Sequence, residues 1–275
     1  MHDGSTPENP VTLEVSDGIA TLTMERPRSI NALSEDMLAA LQAQLDDIAE
    51  RRDIKVVILR GAGDHFCAGH NLKEMTARRE DEDGGHNYFN SLFATCAKMM
   101  MSIVHLPQPV IAEVTGIATA AGCQLVASCD LAVASEEARF ATSGINIGLF
   151  CSTPMVALSR NVPRKQAMEM LLLGEFVPAP KALEMGLINR VVPLEDVGTA
   201  ARELAKKIVS KSPVAVKIGK RAFYEQAEMT LAEAYDFAGK TMANNMMARD
   251  AERAFTDFYP PPASGRCAFP AKTDA

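Results

Sequence analysis

Two well-separated segments hold the groups best suited to chemistry. They are Phe66-Cys67-Ala68-Gly69-His70-Asn71-Leu72-Lys73-Glu74-Met75 and Val114-Thr115-Gly116-Ile117-Ala118-Thr119-Ala120-Ala121-Gly122-Cys123-Gln124-Leu125-Val126-Ala127-Ser128-Cys129-Asp130. Each is a run of small residues that turns into a helix. The first N–H groups of a helix have no partner inside it, so both turns can aim donors at an oxygen that gains negative charge. Residues 122–129 read as a helix whose N-terminal dipole would reinforce a polarised carbonyl by about 0.3–2 kcal/mol.

Groups able to move protons are scarcer. His70 follows Ala-Gly and reads chiefly as an amide donor rather than a general base. Glu74, one turn into a helix, reads as a solvated or dipole-favoured carboxylate. Glu113 lies on an apolar strand near the site and is the best remaining carboxylate, with strand alternation leaving its direction open. Cys123 and Cys151 flank the region, but a thiol attacks only with a base nearby, and packing is the safer reading for both. Gly61-Ala62-Gly63 follows a strand, yet Phe66 stands where a dinucleotide fingerprint needs its third glycine. Neither Ser128 nor Ser143 has the context of a hydrolase nucleophile.

The elements that must position these groups alternate along the chain. Residues 11–16 and 19–24 predict a strand hairpin. Ser34 caps a helix in which Leu38, Leu41, Leu45 and Ile48 recur at helical spacing, with Glu35 and Asp36 at its dipole-positive start. Residues 55–60, 109–114 and 130–134 are apolar strand runs. A polar insert over residues 78–85 leads into a helix through Phe89, Phe93 and Met100. Alternating strands and helices predict an α/β fold with a parallel-rich sheet. Helices dominate later, over residues 166–173, 181–185, 195–210 and 231–258, which places a boundary near residue 200 between a core, 1–200, and a helical region, 201–275.

Composition removes several classes. The 275 residues are 47% hydrophobic and 23% charged, ordinary for a chain that buries a sizeable core. The longest apolar stretches fall short of the roughly 20 residues that span a bilayer, so no membrane role is expected. A net charge of -7 without basic runs argues against nucleic acid as a partner. The six cysteines show no C-x-x-C spacing and read as free thiols, with no metal site. The start, residues 1–10, has neither a signal-peptide apolar core nor an Arg-rich transit pattern, and a cytoplasmic location is expected.

The two turn-to-helix segments resemble the oxyanion-hole segments of the crotonase family of acyl-CoA enzymes. Three further stretches fit the family in order and spacing: Arg26-Pro27-Arg28-Ser29-Ile30-Asn31-Ala32-Leu33, residues 140–148, and Gly174 followed by Ala182-Leu183-Glu184-Met185-Gly186-Leu187-Ile188-Asn189-Arg190-Val191-Val192. The resemblance covers residues 11–258. It implies a crotonase-like fold of repeated ββα units with a C-terminal helical oligomerisation region, forming a homotrimer or dimer of trimers. It implies that the backbone N–H groups of His70 and Ala121 form the oxyanion hole. Arg28, Ile30, Ala68, His70, Asn71, Leu72, Lys73 and Ala121 would line the coenzyme A side. A coenzyme A thioester would be the substrate, with no permanently bound cofactor. Hydratases of the family carry two catalytic glutamates where this chain has Gln124 and Gly144. Gln124 has no titratable proton and Gly144 has no side chain, so proton handling would fall to Gln124, Ser143, Asn146, Ser152 or water. A terminal Lys-Arg pair frequent in the family is replaced by Phe258-Tyr259-Pro260-Pro261-Pro262. A hydratase-like lyase with weakened chemistry and a non-catalytic acyl-CoA binder both fit this pattern.

Overall fold

The computed structural model describes residues 9–258. In chain order the elements are β1 (Val11–Ser16), β2 (Ile19–Met24), α1 (Glu35–Glu50), β3 (Val56–Gly61), α2 (Leu72–Ala77), α3 (His86–His105), β4 (Val110–Val114), β5 (Ile117–Thr119), α4 (Ala121–Ser128), β6 (Leu131–Ser135), β7 (Arg139–Ala141), α5 (Ser152–Leu158), α6 (Arg164–Leu173), β8 (Val177–Pro178), α7 (Ala179–Glu184), β9 (Arg190–Val192), α8 (Val197–Val209), α9 (Pro213–Gln226), α10 (Leu231–Met246) and α11 (Arg249–Phe258). No helix among the described residues is long and apolar enough to cross a membrane.

The expected hairpin forms as β1 and β2, joined by Asp17 and Gly18 at φ 54° and 77°. Two successive positive φ values match the twist of such a pair. The main sheet runs β1-β2-β3-β4-β6-β9, and every pairing after the first is parallel. A second sheet, β5-β7-β8, stands apart. It escapes the sequence because β5 and β7 are three residues long and β8 two, too short to show a period.

Alternation along the central strands divides the core in two. Val57 and Leu59 of β3, with Val110, Ala112 and Val114 of β4, face a large cluster that includes α1, α3 and α4. Val56, Ile58 and Ile111 face the opposite side and meet Val197, Ala200, Ala201 and Ala205 of α8. α1 follows its predicted spacing, burying Met37, Leu38, Leu41, Leu45 and Ile48 behind the Ser34 cap, whose hydroxyl accepts from the Met37 N–H. Burying each such side chain is worth about 1.5–3 kcal/mol.

The chain parts into two compact units, Met1–Lys217 and Ile218–Ala275. The expected boundary near residue 200 falls inside α8, whose alanine face closes one side of the sheet, so the first unit continues past it. The single late helix expected over 231–258 is instead α10 and α11, interrupted at residues 247 and 248.

Candidate active site

Asn31 ties the early loop to the first hole segment. Its side-chain NH2 donates to the carbonyls of Ala62, His65 and Phe66, and its Oδ1 accepts from the Arg26 N–H. Ile30 and Asn31 sit at φ 53° and 49°, a left-handed pair that asparagine tolerates better than isoleucine. The Ala68 N–H donates to the Ile30 carbonyl at 2.9 Å, and Leu33 pairs with His70 as an isolated bridge. Residues 67–70 are thereby held against the turn into α4, where Cys67 bridges Ala118.

Gly69 and Ala121 set the geometry where the two segments meet. A Cβ placed on Gly69 would lie 3.0 Å from the Thr119 carbonyl oxygen and 3.1 Å from the Ala121 nitrogen. The His70 N–H, next in the chain, and the Ala121 N–H have no hydrogen-bond acceptor among the described residues. Ala120, just before α4, holds φ 50° and ψ -120°, a conformation that costs a non-glycine residue about 1–3 kcal/mol. The strain thus falls on Ala120, and Ala121 opens the helix with its N–H free. Gly122 is obligatory for a different reason: a Cβ there would run into the Cys67 carbonyl.

His70 itself is unusual. Both ring nitrogens are buried without a hydrogen-bond partner, and the ring packs at 5.6 Å and 59° against Phe93 of α3. Burial lowers its pKa below the ordinary histidine value; the Leu33 backbone opposes the shift without reaching hydrogen-bond geometry with either nitrogen. The imidazole is therefore neutral near pH 7.

The remaining predicted residues separate into those near the hole and those engaged elsewhere. Asn71 caps α2, accepting from the Lys73 N–H and donating to Glu74 Oε1. Glu74 Oε2 accepts from the Glu35 N–H, so that carboxylate joins α2 to α1. Leu72, Lys73 and Arg28 are exposed, which leaves them open to a ligand's outer portion. Gln124 is 5% exposed with its Oε1 unpartnered. It lies one helical step beyond Ala121 on the same face, and helical side chains lean toward the N-terminus, so its amide covers the turn that carries the Ala121 N–H.

Gly144 lies in a 3-10 turn, Ser143–Ile147, with no left-handed φ. Its lack of a side chain is enforced by packing: a Cβ would strike the Leu149 carbonyl and approach Cys151 Sγ to 2.9 Å. Ser143 and Thr119 hydroxyls pair at 2.7 Å, Asn146 donates to the Gly174 carbonyl, and the exposed Ser152 reaches its own loop at Phe150. None of the three has an orphaned buried polar atom, unlike Gln124.

Glu113 does not serve the hole. In register with Ile111 it points to the α8 face, 4.0 Å from Arg60 and close to Gly198. Burial raises its pKa, offset in part by Arg60 and Arg202. It lines a cavity of about 340 Å³ with Thr23, Glu25, Arg60 and Thr115; neither this cavity nor a neighbouring one of about 570 Å³ borders His70 or Ala121. Burial also holds the Cys67 and Cys123 thiols up to about 12 and raises Cys151, whose shift the Gly144 backbone partly offsets. Such thiols pack rather than attack. Among the described residues no cluster of His, Cys, Asp and Glu could hold a metal ion. The tail sequence from Tyr259 lies outside the described residues.

The enoyl-CoA hydratase/isomerase family model matches residues 14–259. The rat mitochondrial enoyl-CoA hydratase domain-containing protein 3 is 47% identical over 88% of this chain and 79% of its own. A short-chain-enoyl-CoA hydratase of Clostridium acetobutylicum is 32% identical over 91% and 94%. Among solved structures, an enoyl-CoA hydratase of Mycobacterium smegmatis superposes with a TM-score of 0.87 at 50% identity, covering 91% of this chain and 96% of that one. Human enoyl coenzyme A hydratase domain-containing protein 3 gives 0.86 at 45%, covering 90% and 96%. The rat, human and frog relatives are named mitochondrial, which overturns the cytoplasmic location expected from the absence of a transit pattern in residues 1–10. The α/β architecture, the unpaired amides at His70 and Ala121 and these matches agree: the chain belongs to the enoyl-CoA hydratase/isomerase family, with the crotonase fold.

Proposed function

We propose that this chain binds short acyl-CoA thioesters with the carbonyl oxygen between the N–H groups of His70 and Ala121, and that it hydrates enoyl-CoA only slowly. The observation that carries the reading is the pair of unpaired amides brought together across Gly69. Two fixed donors aimed at one point stabilise a developing enolate without reorganisation. The coenzyme A portion would pass the exposed Arg28, Leu72 and Lys73, with Ile30, Ala68 and Asn71 fixing the wall behind them.

Syn addition of water needs one group to take a proton and another to supply one, and general acid and base groups each contribute about 10²- to 10⁴-fold. Gln124 supplies an amide and Gly144 nothing, and the packing around Gly144 leaves no room for a carboxylate. Turnover of a short trans-2-enoyl-CoA is expected below the usual enzyme range of about 1–10³ per second. A steady-state rate inside that range contradicts the reading. The same packed Gly144 supports a second reading, a non-catalytic acyl-CoA binder.

Assembly into trimers or a dimer of trimers is part of the proposal. Leu231, Tyr235, Met242 and Met247 are 75%, 75%, 72% and 84% exposed within the isolated chain, more apolar side chain than a helical region leaves in water. Light scattering should give a multiple of 29.6 kDa at micromolar concentration. A monomer mass contradicts it.

A further inference from the structure

Enolate chemistry at the hole needs a base for the proton on the carbon beside the carbonyl, which neither Gln124 nor Gly144 can be. Several titratable groups of the neighbouring segments are committed elsewhere. Cys67 donates to the Asn31 carbonyl and Cys129 to the Leu125 carbonyl. Both Glu74 oxygens hold the α1 and α2 starts, and Glu113 faces α8. Cys123 is wholly buried, and Cys151 is seated against the Gly144 backbone.

His65 Nδ1 and Tyr88 Oη are also buried without a partner, but His70 is the residue whose own N–H belongs to the proposed hole. Its two ring nitrogens are buried and unpartnered, one a donor and one a lone-pair acceptor in the neutral ring. Leaving both unmade is costly, so such a ring calls for a partner or a chemical role. The ring hangs from the same residue whose N–H would hold the carbonyl oxygen, which makes it the titratable side chain joined directly to the proposed hole. Phe93 fixes the ring's attitude from α3.

We propose that the His70 imidazole is the catalytic base of this site, acting on the α-carbon of a short acyl-CoA; this rests on the acyl-CoA reading above. The α C–H bond breaks and its proton passes to the imidazole lone pair. The electron pair moves through the new C–C double bond onto the thioester oxygen, held by the His70 and Ala121 amides. The imidazolium exchanges its proton with D2O and returns a deuteron to the α-carbon, which regenerates the thioester. No redox partner is needed.

The test is exchange of butyryl-CoA α-protons in D2O, followed by mass spectrometry, alongside butyryl-CoA binding by calorimetry. The wild-type protein should bind and incorporate deuterium. His70→Phe keeps the amide and the ring packing, and His70→Gln keeps polarity without a base. Both should exchange about 10²- to 10⁴-fold more slowly at saturating butyryl-CoA, with the affinity of each variant measured alongside. Undiminished exchange in either folded variant, or wild-type binding without exchange, overturns the base assignment and leaves the acyl-CoA reading standing. Absence of wild-type binding overturns that reading and this one together.

Discussion

The backbone half of the site and its side-chain half have fared differently. Residues 67–70 and the turn into α4 keep every feature that aims two amides at one point: Gly69 where a Cβ would intrude, a strained Ala120, and Gly122 packed on the Cys67 carbonyl. Across from them, Gln124 carries an orphaned amide oxygen, and the 3-10 turn at Gly144 is closed by Leu149 and Cys151. Stabilisation of negative charge and transfer of protons are thus separable, because the first is built from main chain and the second from side chains. Substitution erases side-chain chemistry readily, while a main-chain donor disappears only when its turn is deformed.

The largest expected effect is on the backbone half. Gly69→Ala places a methyl group 3.0–3.1 Å from Thr119, Ala120 and Ala121 at φ 88°, filling the hole. Removing one oxyanion donor typically costs about 10²–10³-fold in kcat, so the slow hydration of a short trans-2-enoyl-CoA should fall by at least about a further 100-fold. A retained rate would break the comparison.

The second effect is on stability. Gly144→Ala must displace Leu149 or Cys151, an overpacking expected to cost about 1–3 kcal/mol and to lower the melting temperature by several degrees. The same obstruction makes Gln124→Glu with Gly144→Glu a poor rescue of hydration. The obstacle at Gly144 is packing rather than φ. An unchanged melting curve for Gly144→Ala would show that the loop yields and that a carboxylate could be accommodated.

The asymmetry between the halves also governs what the sequence reveals. Small-residue turns before helices are local signals that locate the starts of α2 and α4, and the Ser34 cap and the apolar runs of the main strands are local signals too. The direction of Glu113 depends on the phase of β4 against its neighbours. Local pattern leaves that phase open, and the register with Ile111 decides it against the site. The walls of Gly144 come from residues that only the folded loop brings near, and the boundary moved from 200 to 217 because α8 packs on strands distant in sequence. The orphaned ring of His70 is likewise invisible in sequence, since burial without a partner is a property of the assembled site.

The smallest effect sharpens the place of His70. Its folded pKa lies below its ordinary 6.5, so the unfolded chain binds the extra proton first as pH falls. Its contribution to stability is complete above that value and declines below it, with a slope of at most about 1.4 kcal/mol per pH unit. Denaturant titrations from pH 7 to 5 should show a shallower decline for His70→Phe than for wild type. Parallel curves would place the ring in contact with water.

A crystal structure of the butyryl-CoA complex tests the central claim most directly. The account predicts the thioester oxygen about 2.7–3.1 Å from both the His70 and Ala121 nitrogens, with Gly69 beneath it and Gln124 alongside. A thioester seated elsewhere, or an oxygen bonded to only one of the two amides, would contradict it.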